Sequence, residues 1–450
     1  MNHEADAAAL ALAEQALEAA LHAGASEAEA LVMREDGALT RFANSEIHQN
    51  VAQTGVTVNV RVVQGKRVGV ASSDRTDREG LRRLAETAVA IANVVEELPD
   101  WGGLPEPTPV AEVAGAFDER TALATPEFRA EAVRAVIGAA DAAGVTAYGS
   151  FQTGIDTNAV ANSNGIRVAG SRTAAQLITV SMGPGGGSGY AEAASVDATA
   201  IDPSALGREA ADKARASANA VALEPGDYAV VLEEYAVVDL LDMLGYLGFS
   251  ALAVQEERSF FEPGRTVGSE LVSIRDDGAD PAGLPMTFDY EGVAKRRVEL
   301  LQRGVCSEVV YDAQTAARAG VASTGHGLPA PNPYGPFPLN MVMEPGDASR
   351  DELIGGLDRG LLVTRFHYTN PVHPKLAIVT GMTRDGTFLV EDGRIVGPVR
   401  NLRYTQSYLE ALAGTVAVGR ERRTLKGFLG GVAVPAVRIE GWTFTGTTEH

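Results

Sequence analysis

The stretch EEYAVVDLLDMLGYLG, Glu233 to Gly248, constrains the fold more than any other part of the chain. Its apolar residues Val237, Leu240, Leu241, Leu244 and Leu247 recur at three- and four-residue spacing, which on a helix places them along one face. Such a face demands burial, so the segment predicts a core helix. At 450 residues the chain is too long for one ordinary core, and two or three domains are expected.

Other segments divide the chain further. An Ala- and Leu-rich helix from about Ala5 to His22 stops at Gly24, and a strand-like EAEALVMRE follows. Gly55 to Val63 and Arg67 to Ser73 read as a β-hairpin around Gln64, Gly65 and Lys66. An amphipathic helix follows from about Thr76 to Val95, and the Pro- and Gly-rich stretch from Pro99 to Pro109 reads as a linker. Thr125 opens another helix with Pro126 at its first position, where proline's fixed φ fits. Strands around Thr146 to Phe151, Gly165 to Ala169 and Ala175 to Met182, and a helix from Pro203 to about Asn219, complete a second unit. Pro225 and Gly226 mark its end. Beyond them lie the core helix and mostly short strands, with Asp392 and Gly393 as a hairpin signal. The expected class is α+β: a 1–110 α+β domain with linker, a 111–224 central α+β domain and a mainly β 225–450 domain.

Composition excludes several roles. A formal net charge of −21 argues against nucleic acid or an anionic membrane surface, which require clustered cations. The first residues lack the basic, apolar, small-residue order of a secretory signal, and no apolar run is long enough to span a bilayer; the expected location is the cytoplasm. Cys306 is the sole cysteine, so an intrachain disulfide is impossible and any metal site must use His and carboxylates.

Four constellations could carry chemistry. GPGGGSG, Gly183 to Gly189, lacks the Lys and Ser/Thr of a phosphate loop and reads as a flexible loop. The polar turns around Asn44, Ser45 and Ser163 fit ordinary turn chemistry. Asp289 and Glu291, two apart, would share one face of a strand and could hold a metal or share acid and base roles, or anchor backbone or the basic run Lys295 to Arg297. RFHYTNPVHPK and TGMTRDGTF bring His367, Tyr368, His373, Arg384 and Asp385 forward as loop residues or as pocket-lining candidates. The histidine spacing across Pro371 matches no standard zinc site. A serine-nucleophile elbow with its His and Asp partners is absent, as is any HExxH zinc helix.

In order along the chain, NSEIHQN, ANSNGIRVA, ERSFFEPGRTVGSELVSIRDDG from Glu257, FDYEGVAKRRVELLQRGV from Phe288, TAARAGVASTGHG from Thr315 and LVEDGRIVGPV resemble the TldD/PmbA (TldD/TldE) family of peptidase subunits. The family's active TldD-type subunit carries a zinc helix of the form His, Glu, three residues, His. Laid on DLLDMLGYLG, that pattern puts Leu241 at the first His, Asp242 at the Glu and Tyr246 at the second His. Leu241 has no donor atom and a phenol is a poor substitute for imidazole. Cys306 lies outside the region of the family's later ligand.

The resemblance therefore implies a PmbA/TldE-like pseudoenzyme subunit with no metal or cofactor of its own. It would form a heterodimer with a TldD-type zinc subunit, or a homodimer, and act on unstructured or modified peptides. Substrate-contacting candidates are His326, His367, His373, Arg384, Asp289 and Glu291. Two alternatives stay open: a stand-alone hydrolase built around His367, Tyr368 and Asp385, and a peptide-binding module without catalysis.

Overall fold

The computed structural model describes residues 3–447. Six strands, β1 (Glu27–Ala43), β2 (Glu46–Gln64), β3 (Arg67–Ser73), β4 (Thr146–Asn162), β5 (Arg167–Met182) and β6 (Ser188–Ser195), form one sheet in the order β3-β2-β1-β4-β5-β6. The expected regions 1–110 and 111–224 share this sheet, because β1 pairs antiparallel with β4 from Glu29 opposite Asn162 to Phe42 opposite Gly149. The strands run longer than their apolar patterns suggest. The β1–β2 turn is made by Asn44 and Ser45, both at positive φ, as a tight hairpin requires.

Helices α1 (His3–His22), α2 (Arg78–Val94), α3 (Glu119–Ala122), α4 (Pro126–Ala142) and α5 (Pro203–Ala216) accompany the sheet. Their starts follow the sequence signals. Asp77 accepts from Gly80 N at 2.9 Å, and Thr125 accepts from Phe128 N at 3.2 Å, with Pro126 at the first position of α4. Alternation sorts the two faces: Ala28, Ala30 and Val32 pack with α1 and α2, while Leu31, pointing the other way, meets Val160, Ile166 and Phe288. One face thus carries helices and the other faces the C-terminal domain.

Two expected loops are more ordered than their composition implies. In the 99–109 stretch Leu104 is buried, and its carbonyl and that of Pro105 accept from Asn164 Nδ2 and Asn162 Nδ2, each at 2.8 Å. The GPGGGSG run is a packed turn rather than a flexible loop. A Cβ at Gly187 or Gly189 would stand 2.0 Å from a carbonyl oxygen of α5, so only glycine permits this approach.

The C-terminal domain is built on an eleven-stranded sheet: β7 (Gly226–Leu232), β8 (Ile274–Asp276), β9 (Val298–Gln302), β10 (Val305–Cys306), β11 (Asn340–Met343), β12 (Arg359–His373), β13 (Ile378–Glu391), β14 (Arg394–Pro398), β15 (Leu402–Ser407), β16 (Thr415–Lys426) and β17 (Gly431–Thr447). The path β17-β15-β13-β12-β7 closes on itself, because β7 pairs with β12 on one side and β17 on the other. Closure removes free edges. Helix α6 (Glu234–Leu247) packs against β12 and β17, and all five residues of its predicted stripe are buried in the largest core cluster, with Trp442 and Phe444.

Two buried ionic joints hold the first sheet to this domain. Arg61 on β2 lies between Glu29 at 2.8 Å and Glu291 at 2.9 Å, and Glu291 also accepts from Ala313 N at 2.8 Å. At the other, Glu209 and Lys213 of α5 meet Arg423 and Tyr235, and Lys213 reaches Glu233, the N-cap of α6, at 2.6 Å. Removing one member of a buried pair strands the others, so Arg61→Ala should lower the unfolding free energy by about 3–5 kcal/mol in denaturant melts. A loss below about 1 kcal/mol would mean the joint contributes little.

Candidate functional site

Helix α6 carries the positions at which a zinc helix would present its ligands. Leu241 is 0% exposed, packed in the apolar core with no donor to offer. Gly245 sits close to Pro338 and Phe337, which leaves little room beside it. Tyr246, one turn on from Asp242, is partly exposed with its ring 6.5 Å from that of Tyr334. Among the described residues no group of three or more His, Cys, Asp and Glu side chains is arranged to hold a metal ion. The side chains present at these positions do not fit zinc.

Asp242 has a different task. Its carboxylate accepts from Phe428 N at 2.8 Å and so fixes the turn between β16 and β17. Burial, with the charge of Asp239 adding to it, pushes its carboxyl up to about 7. Asp239 accepts from Thr369 Oγ1 at 2.7 Å and Tyr408 OH at 3.1 Å, and burial raises it to about 6 despite those bonds.

The turn that Asp242 holds overhangs a cavity of about 230 Å³ against the inner face of the first sheet. Asp156 and Arg172, opposed in the β4–β5 register and paired at 3.3 Å, line it together with Tyr290, Lys426 and Phe428. A neighbouring hollow of about 280 Å³ runs over β1, β2 and β4 and shares Asp156, Ala174 and Lys426 with the first. A larger cleft of about 730 Å³ lies between α1, residues 110–117 and β5; Arg172 and Phe288, the first residue of FDYEG, line it, but none of the candidate site residues from the sequence does.

The sequence candidates are dispersed. RFHYTNPVHPK runs along the end of strand β12 as far as His373 and enters a 3-10 turn at Pro374, and His367 stands opposite Met382. Asp385 does not orient His367: Arg365 Nη2 holds its carboxylate at 2.5 Å and Ser188 donates to it as well. Burial, then the charges of Arg384 and Arg365, keep the His367 imidazole below its usual pKa. Tyr368 and His373 are exposed at the hairpin end.

His326 was expected to contact substrate, yet it is wholly buried. Its Nε2 lies 2.8 Å from Asp276 and its Nδ1 2.8 Å from Thr324 Oγ1. Burial opposes ionisation of Asp276, but Lys295 at 3.1 Å and His326 hold its carboxyl well below the usual range.

Asp289 and Glu291 do not share a strand face either, because FDYEG forms a turn. Asp289 accepts from the backbone of Glu291, Val293 and Gly327, while Glu291 turns to Arg61. They anchor backbone and the domain joint, and Lys295 pairs with Asp276 instead. The residues missed from the sequence are Asp156, Arg172, Asp239 and Lys426. Only Asp239 left a signal, one helical turn before Asp242.

A closed β domain built around a core helix, with a six-stranded sheet docked on it, is the architecture of the chain. Three family models match in succession: PmbA/TldA metallopeptidase domain 1 over residues 28–92, the central domain over 118–218 and the C-terminal domain over 225–446. The chain belongs to the PmbA/TldD metallopeptidase family. A metalloprotease from Methanothermobacter thermautotrophicus is 28% identical over 239 residues, 51% of each chain. A zinc metalloprotease TldD homolog from Saccharolobus solfataricus is 26% identical over 178 residues, 36% of this chain and 37% of its own. The matches thus span about half or less of these curated relatives. The solved structure of TldE from Thermococcus kodakarensis shares the fold, with a TM-score of 0.87 and 22% identity over 96% of this chain and 99% of that one. A structure described as a modulator of DNA gyrase from Thermotoga maritima gives 0.85 and 21% over the same shares.

The raised carboxyl of Asp242 makes a signed prediction. A folded-state pKa above the unfolded value penalises the fold once the acid ionises, so the penalty is absent below about pH 4, grows through pH 7 and is complete above it. Asp242→Asn keeps an acceptor for Phe428 N and removes the charge. It should be more stable than the parent at pH 8 by roughly 1–3 kcal/mol, the side chain's partial exposure limiting the gain, and equal near pH 4. Identical melts at both pH values would show that Asp242 ionises there without cost.

Proposed function

We propose that this chain is the metal-free subunit of a two-component peptidase in the cytoplasm, paired as a heterodimer with a TldD-type homologue that carries the zinc. The observation that carries this reading is Leu241: the position of the first metal ligand holds a side chain without a donor, seated in the core. Tyr246 at the second position supports it. In such a pair zinc supplies a polarised water and a Lewis acid to the partner's site. This chain contributes a folded wall, the Asp242-held turn and a cavity suited to unstructured or modified peptides.

The stand-alone hydrolase reading is weakened by Asp385, which is committed to Arg365 and Ser188 and leaves His367 without an orienting carboxylate. A homodimer is the alternative assembly.

Mixing the purified chain with its TldD-type homologue tests the proposal. Co-elution in size-exclusion chromatography, and casein or unstructured-peptide hydrolysis in the mixture but not by this chain alone, is the expected outcome. Chelator-sensitive hydrolysis by this chain alone would overturn it. Peptide affinity with no complex and no turnover in the mixture would instead mark a binding module.

A further inference from the structure

We propose that the paired hollows beneath the first sheet bind a carboxylate carried by an extended peptide, with Lys426 and Arg172 as the recognising cations. The inference rests on the peptide-handling reading above and names what the cavity selects.

Charge supplies the first argument. Acidic residues outnumber basic ones, 59 against 38, so a lysine on this protein has abundant carboxylates to pair with. The exposed Lys426 has no ion-pair partner among the described residues, as is true of Lys66 and Lys375, but unlike them it lines both hollows. Arg172 in the same cavity spends part of its guanidinium on Asp156 at 3.3 Å and part on Tyr290, and a fork of five N–H donors leaves others for a ligand. Glu35 lines the second hollow, so the excess of positive charge is local to the first, where Lys426 and Arg172 face the single carboxylate of Asp156 across a partly open space and favour an anion.

Shape supplies the second. The two hollows meet at Lys426, Asp156 and Ala174, giving a trench with the cations near its middle. Its far floor is opened by Gly37 and Gly154, directly opposed in register, where side chains would otherwise fill the space. At the near rim Phe428 is 75% exposed and Leu429 47%, beside the lining residue Met286. An extended chain fits such a trench better than a compact anion such as phosphate, because it can cover the apolar rim while its carboxylate reaches Lys426.

The carboxylate can come from a peptide's C-terminus or from an acidic side chain, and the test separates the two. A dye-labelled short Ala/Leu/Ser peptide is titrated by fluorescence anisotropy against the isolated full-length chain as the free acid, as the C-terminal amide, and as the amide with one internal Glu. The free acid should bind roughly tenfold more tightly than the amide, and Lys426→Met should erase that difference while leaving amide binding unchanged. Recovery of Lys426-dependent affinity by the internal Glu assigns the site to acidic side chains as well. Equal affinity for acid and amide, no effect of Lys426→Met, or no binding of any peptide would overturn the proposal. Because these titrations use the chain without its partner, failure of complex formation or turnover leaves their outcome untouched.

Discussion

Burial of helix α6 is the constraint on which the rest of the structure depends. Its stripe of Val237, Leu240, Leu241, Leu244 and Leu247 fills the core of the C-terminal domain, where β7 closes the strand path between β12 and β17. Burying five such side chains contributes on the order of 1.5–3 kcal/mol each. The ends of the helix then do separate work. Glu233 and Tyr235 at its start engage α5 and Arg423, fixing the first sheet above the domain. Asp242 near its end fixes the turn that overhangs the cavity. A metal ligand at position 241 would have to leave this core, so in this chain the helix is a strut.

Charges are placed by the same logic. Three buried clusters are matched: Arg61 by Glu29 and Glu291, Asp276 by Lys295 and His326, Lys213 by Glu209 and Glu233. Such clusters cost desolvation and return it only when complete, which favours one docking geometry over sliding alternatives. Asp239, Asp242 and Asp289 are held by hydrogen bonds without a paired cation, and burial raises all three.

Much of the fold was legible where local chemistry decides it. The α6 stripe, the turn between β2 and β3, Pro126 opening α4 and the Asp392–Gly393 hairpin all lie where the sequence places them. What was illegible depends on partners far away in the chain. The shared first sheet rests on β1 meeting β4 across more than a hundred residues. Asp289 and Glu291 look like a chemical pair until Gly327 and Arg61 claim them separately. His326 lies in a glycine-flanked loop sequence, yet Asp276 and Thr324 draw it into the interior. Lys426 and Arg172, far apart in the chain, line one cavity only because the sheet docks over the β16–β17 turn, and no spacing rule reaches that far.

Zinc stoichiometry tests the central claim most directly. The full-length chain, equilibrated with excess zinc, freed of unbound metal and measured by elemental analysis, should retain far less than one zinc per chain, and Leu241→Ala should not change that value. One zinc per chain, resistant to dialysis and lost with Asp242→Asn or Tyr246→Phe, would contradict the claim and restore α6 as a metal helix.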